Sequence, residues 1–220
     1  MAIQTINVAN GAELKQALAS ATGGETILLA SGDYGNLSLK GTQFASNVTI
    51  KSADANTPAT ISDLLVEGSS NVTFEALVFD YTFNGEAKWH KPFEIKNSSD
   101  VTIVDSVFSG DLAQGVSSAA NGYGSGTGLA VNGSTDIVIS NSEFFDWYKG
   151  LTITASTDLT VSGNDVHSIR SDGMYFDGNH NILIEENYIH DFNGSLTSGD
   201  HRDMIQFSKV LGPSSDITIQ

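Results

Sequence analysis

The sequence predicts an all-β chain coiled as one right-handed parallel β-helix, three short strands to the turn. Two observations predict it. Composition is the first: 22 Gly against 3 Pro, with charged residues at only 16%, suits many short strands joined by tight turns better than helices. The second is a repeat. Asn or Asp, then apolar, usually Thr, then apolar, begins at Asn47, Asn71, Asp100, Asp136, Asp158, Asn181 and Asp216, with starts 24, 29, 36, 22, 23 and 35 residues apart. The minimum near 22 is one coil and the excess is insertion.

Taken in order, the elements form one domain over 1–220, with an entry segment at 5–30 and coils from 31 onward. Residues 11–21 read as the one amphipathic helix, ended by Gly23-Gly24. That helix is placed to cover the open end of the solenoid, where a bare strand edge invites aggregation. The other end carries no such cap: the chain stops at Ile219-Gln220 inside a strand, so further coils or a capping partner are expected there.

Within a coil, the repeat itself is the first strand, alternating apolar-in and polar-out. A second apolar segment follows, such as Ser106-Val107-Phe108 or Glu143-Phe144-Phe145. After a loop comes a third: Phe93-Glu94-Ile95, Leu129-Ala130-Val131, Leu151-Thr152-Ile153, Met174-Tyr175-Phe176 and Ile205-Gln206-Phe207. The recurrent Asn/Asp reads as a turn residue. His167 and His190, at one coil position beside turns, read as structural.

The entry segment resembles a known group. Glu13-Leu14 with Ala17-Leu18, then Gly24-Glu25-Thr26-Ile27-Leu28-Leu29 and Gly32-Asp33-Tyr34, is similar to the start of pectin-lyase-like β-helix proteins. It is most similar to the chondroitinase-B and alginate-lyase family. Val48-Thr49-Ile50-Lys51 and Val72-Thr73-Phe74-Glu75 continue the likeness, which covers roughly residues 5–80. The resemblance implies the fold and a polysaccharide ligand, but no single reaction. That family's catalytic Lys/Arg pair and Ca²⁺-binding acidic cluster have no clear match in these coils. Mannuronan epimerases share the architecture, and Phe176-Asp177-Gly178-Asn179-His180 is a loose echo of their Tyr-Gly-Phe-Asp-Pro-His motif.

Charge narrows the partners. A net charge of −16, from 10 Lys+Arg and 26 Asp+Glu, opposes nucleic-acid binding. Zero cysteines exclude disulfides and thiolate metal sites. No apolar run is long enough to cross a membrane. Met1-Ala2-Ile3-Gln4 lacks the basic n-region of a classical signal peptide, so an extracellular or particle-surface location is expected by leaderless export or release with a particle.

The long insertions fall at one coil position, before the third strand, at 81–92, 109–127 and 193–203, with shorter ones at 145–150 and 168–172. Insertions at one repeat position project from one face, often the binding face. They hold Lys88, Lys91, Lys149, Arg170, Arg202, His90, His201, Trp89, Trp147, Tyr123 and Tyr148. Aromatic rings stack on sugar C–H faces, and local cations suit anionic sugars. Aligned coils stack Lys149, Asp172 and Asp203, with Tyr148, Ser171 and Arg202 one position earlier and Trp147, Arg170 and His201 before that. Thr152, Tyr175 and Gln206 should point outward in a row.

Coils lie roughly 4.8 Å apart, which brings Asp172 and Asp203 close enough that one pKa rises or a metal, Ca²⁺, binds. Three chemistries suit the group. In β-elimination or C5-epimerisation of a uronate, Arg202 or Ca²⁺ neutralises the carboxylate, His201 takes the C5 proton and Tyr175 donates. In glycoside hydrolysis Asp172 and Asp203 are the acid and the nucleophile or base. In simple binding, Lys149, Arg170, Gln206, Trp147, Tyr148, Trp89, His90 and Lys91 hold the sugar. The expected function is a polysaccharide-processing lyase or epimerase on an acidic glycan. The alternative is a non-catalytic glycan-binding spike or adhesin of a phage-like particle or cell surface.

Overall fold

The computed structural model describes residues 4–220; Met1-Ala2-Ile3, within the segment read for a leader, lie outside the described residues. The coils stack into three parallel sheets, with a small antiparallel pair, Asp111–Leu112 and Gly124–Ser125, inside one loop. Nine strands from Thr5–Val8 to Ser215–Ile219 form the first, and two sheets of seven strands form the others, each sheet built strictly from successive coils. The third runs from Asn36–Lys40 through Asp63–Glu67, Phe93–Lys96, Thr127–Asn132, Lys149–Thr154 and Met174–Asp177 to Ile205–Ser208. The predicted coil order and strand assignment are met.

Period-2 alternation drives the packing. Val72, Val101, Ile137, Leu159 and Ile182 stack in register on the first sheet and all are buried. On the second sheet Phe79, Phe108 and Phe144 stack face on face, with centroids 4.4 and 4.5 Å apart. At the two corners flanking the first sheet, buried polar side chains form ladders. The Ser98, Ser134, Ser156 and Asn179 side chains each accept the backbone N–H of the corner residue one coil before, at 2.9–3.2 Å. Ser106, Ser142, Asn164 and Asn187 do the same at 3.0–3.2 Å. A corner N–H that would otherwise be orphaned in the core is thereby satisfied.

The repeating Asn/Asp departs from the turn expected of it. Asn71, Asp100, Asp136, Asp158, Asn181 and Asp216 lie inside first-sheet strands, each at φ between 53° and 61°. These are left-handed kinks, which Asn and Asp tolerate better than other side chains. Asn47, the first of the series, instead accompanies a register shift between Gln43 and Val48.

The helix α1 (Gly11–Ser20) is capped by the Asn10 side chain, which accepts from Ala12 and Glu13 N–H at 3.1 and 3.0 Å. Its Leu14, Ala17 and Leu18 are buried against the first coil, as expected of a cap. At the far end the Ser215–Ile219 strand is exposed throughout. No helix among the described residues is long and apolar enough to cross a membrane.

Candidate functional site

The third sheet carries the site because all the long loops enter it. A glycine column marks the entry. Gly128, Gly150 and Gly173 stack, and a Cβ on any of them would meet the next coil's carbonyl oxygen at 2.6–2.7 Å. The loops thus pass onto the sheet through a seam too tight for a side chain, and the residues just before it are held in fixed register. Thr127 pairs with Lys149, and Asp172 and Asp203 follow in the same column. The row Glu94, Ala130, Thr152, Tyr175 and Gln206 runs beside it. The stacking order is as the sequence predicts, but Ala130 is buried and the Thr152 hydroxyl is covered, so the outward-facing row expected at Thr152, Tyr175 and Gln206 is open only at the last two.

Four side chains connect there. Asp172, 2% exposed, takes Lys149 Nζ on Oδ2 at 2.7 Å. The same ammonium lies 3.9 Å from the centroid of the Tyr175 ring. Tyr175 OH donates to Asp177 Oδ2 at 3.3 Å, and Asp177 Oδ1 accepts Leu211 N–H at 3.0 Å. An ammonium and a phenol are therefore presented together, anchored below by buried carboxylates and half-exposed above. Gln206, half-buried, continues the row.

A second cluster overturns part of the expected cation wall. Asp200 accepts Lys88 Nζ at 2.6 Å, Tyr148 OH at 3.1 Å, and Arg170 through Nε and Nη2 at 3.0 and 2.8 Å. Loop 193–203 thus closes over three intervening coils onto loop 81–92. Burial alone would raise the Asp200 carboxyl, but the bonds from Lys88, Ser198 and Arg170 outweigh it and hold it well below the usual carboxylate range. Arg170 is 3% exposed and Lys88 is spent on the same carboxylate. Arg170 does not confront a ligand as predicted, and Lys88, though 36% of its side chain is exposed, is held by this carboxylate as Lys149 is by Asp172. Arg170 Nη1 and Thr152 Oγ1 are sealed without a hydrogen-bond partner.

Trp147 is a correction of the same kind. It is fully buried, its Nε1 donates to Phe108 O at 2.9 Å, and it packs on Tyr81 and Phe93 with centroids 5.4 and 6.0 Å away. A loop position next to an apolar coil drew the indole inward, so it offers no ring to a sugar. Trp89, by contrast, is 68% exposed, and Lys91 beside it is exposed. His90 is half-buried near Tyr81 and lines a small pocket of about 210 Å³ with Asp63 and Glu86; burial pushes the Asp63 carboxyl up.

The remaining loop residues sit on the loops where expected, and among the described residues none of their side chains bonds to the Lys149–Tyr175 group. The side chains of His201 and Arg202 are exposed; Ser171 Oγ donates to His201 O at 2.9 Å, and Arg202 donates to Ser195 O. Asp203 O accepts Gly173 N–H at 2.9 Å. As a Ca²⁺ site, Asp172 and Asp203 fit poorly. Lys149 already occupies Asp172, and no group of three or more metal-capable side chains gathers among the described residues. Asp200, not among the site residues expected from the sequence, is the organising group. A concavity of about 830 Å³ lies over the first sheet rather than here; the third sheet is the candidate face because an ammonium, a phenol and two carboxylates meet on it.

Comparison with known proteins agrees on the fold. A family model described as a right handed beta helix region matches residues 127–217. No curated protein sequence matches. Among solved structures, the surface adhesin PfbA of Streptococcus pneumoniae is similar at TM-score 0.65 and 14% identity, over 95% of this chain and 65% of that one. Pectate lyase Pel9A is similar at 0.53 and 14%, over 95% and 63%. The periplasmic alginate epimerase AlgG is similar at 0.55 and 12%, over 97% and 55%. The chain thus spans less than two thirds of the length of each. At these identities the likeness is one of fold: the chain is a right-handed parallel β-helix.

Proposed function

We propose that this β-helix holds a uronate-containing polysaccharide along the outer face of its third sheet and acts on it as a lyase or C5-epimerase. The observation that carries the reading is the Asp172, Lys149, Tyr175, Asp177 chain on an accessible sheet face beside the loops. Lys149 pairs with the uronate carboxylate and so acidifies the C5 proton. His201, on the adjoining loop, accepts that proton. In elimination, the C5 electron pair forms the C4–C5 double bond as the C4–O bond breaks, and Tyr175 protonates the departing oxygen. In epimerisation C4–O stays intact and Tyr175 returns a proton to the opposite face of C5. Arg202, Lys91, Trp89 and Gln206 extend the binding surface. Ca²⁺ is required only if the substrate's own carboxylates complete its coordination, since the chain offers too few ligands.

A second reading, glycan binding without chemistry on a cell or particle surface, draws support from one observation. Lys88 and Arg170 are both committed to Asp200, leaving fewer cations for a substrate's charge than the sequence suggested.

Incubation with alginate, pectate and chondroitin sulfate, with and without Ca²⁺, separates the two. Formation of unsaturated uronate, seen by absorbance, or C5 inversion, seen by NMR, is expected, and both disappear in Lys149→Met and Tyr175→Phe. Binding on a glycan array with neither product overturns the enzymatic reading. No binding to any uronate polymer overturns the enzymatic reading, and no binding to any glycan of the array overturns both.

A further inference from the structure

A long groove on the first sheet belongs to neither reading. It runs over the outer face of the first sheet, about 830 Å³ in volume, from Asn47 to Thr218. Those residues lie on seven successive strands, so the groove is about 29 Å long at roughly 4.8 Å per coil. Its floor is the row Thr102, Val138, Thr160, Leu183 and Thr218, in register from coil to coil. Methyl groups there offer an apolar track, and the threonine hydroxyls offer hydrogen bonds at one-coil steps.

The wall is the left-handed Asn/Asp column. Three consecutive coils place Asp100, Asp136 and Asp158 in it, all exposed. The backbone does not demand the charge, because Asn71 and Asn181 hold the same conformation in the same column. Like charges directly opposite on neighbouring strands destabilise a sheet, and no Lys, Arg or His lines the groove to offset them. No ion pair reaches any of the three among the described residues, and only Asp158 takes a side-chain hydrogen bond, from Asn181 and Thr135.

We propose that this groove binds a linear cationic glycan, a chain of hexosamine residues with free ammonium groups. The sugar rings lie on the threonine and aliphatic floor, and successive ammonium groups meet Asp100, Asp136 and Asp158. Charge selects this occupant. A uronate polymer meets the same carboxylates as repulsion, and a second copy of this chain carries a net −16 of its own. The groove and the third-sheet face therefore take ligands of opposite charge.

The test is calorimetric titration of the full chain with chitosan oligosaccharides at low and moderate salt. The combined Asp100→Asn, Asp136→Asn, Asp158→Asn variant keeps residues that tolerate the left-handed kink and is expected to weaken binding at least tenfold. A control triple, Asp33→Asn, Asp54→Asn and Glu186→Gln, removes three exposed charges elsewhere and is expected to bind as the parent does. Lys149→Met is likewise expected to leave chitosan affinity unchanged. Equal losses in the two triples would reduce the effect to non-specific attraction and overturn the proposal. So would equal binding of neutral cello-oligosaccharides, absence of chitosan binding, or a self-association in sedimentation that the groove triple abolishes.

Discussion

Replacing Asp200 by Asn tests the loop closure that fixes the upper edge of the site. The carboxylate is 6% exposed and its Arg170 partner 4%. Removing one member of a buried pair leaves an uncompensated charge, which costs about 3–5 kcal/mol. Lys88, with 36% of its side chain exposed, adds little, because a pair open to water is worth about 0–1 kcal/mol. Asn retains one acceptor oxygen, so a loss of about 3 kcal/mol is expected, roughly a hundredfold in the opening equilibrium of the loop. Since loop 193–203 opens more easily than the coils, the loss appears there first. Hydrogen exchange should accelerate at the N–H groups of 193–203, and limited proteolysis should cut within that segment, while first-sheet amides stay protected.

The pH dependence has a definite sign. A carboxyl held below its ordinary value stabilises the closed loop above the ordinary aspartate range and loses that contribution as pH falls through its lowered value. Loop opening in the parent is therefore expected only in acid below about pH 4, and the Asn variant should lack that transition. Unchanged exchange and proteolysis in Asp200→Asn at neutral pH would refute the claim that this carboxylate holds the loop.

Trp147→Ala should cost about 3–5 kcal/mol in urea unfolding, with no change in glycan affinity of the folded fraction; a loss of affinity at unchanged stability would return the indole to the binding surface. Gly150→Ala brings a Cβ to 2.6 Å from Gly173 O and should destabilise by about 1–3 kcal/mol, read as a lower thermal midpoint. His190, bonded to Asp191 and Asp165, has its pKa raised, first by Asp191 and, after the opposing effect of burial, by Asp165. Its contribution to stability is complete below about pH 6.5, the ordinary value, and fades as pH rises through the raised one. NMR titration of the ring should show a midpoint above that of free histidine, and Asp191→Asn should lower it.

Much of the fold was legible because a solenoid repeats its physics in every coil. The apolar alternation placed strands such as Leu151–Ile153 and Met174–Phe176 correctly, and counting from them stacked Lys149 on Asp172. The left-handed kinks were harder to see, because a repeated Asn/Asp reads the same whether it ends a strand or bends one. Loop trajectories were not legible. Lys88 and Asp200 lie 112 residues apart, and nothing in the coil alignment says that one loop reaches back across three coils to the other. That return is what turned Arg170 and Lys88 from ligand-facing cations into partners of a carboxylate. Trp147 misled for a related reason: insertion residues were counted as outward, yet an indole with a carbonyl acceptor within reach gains far more from burial beside Phe93 and Tyr81. A hint was present, because segment 145–150 is too short to carry a large ring clear of the coil.

The central claim is that the third-sheet face receives a polysaccharide. Backbone NMR of the labelled chain, titrated with oligouronates of defined length, tests it most directly. The account predicts shift changes along Thr152, Tyr175 and Gln206 and in loop 193–203, with saturation that Lys149→Met weakens. Shifts confined to the first-sheet groove, or none at concentrations that saturate other uronate-binding proteins, would contradict it.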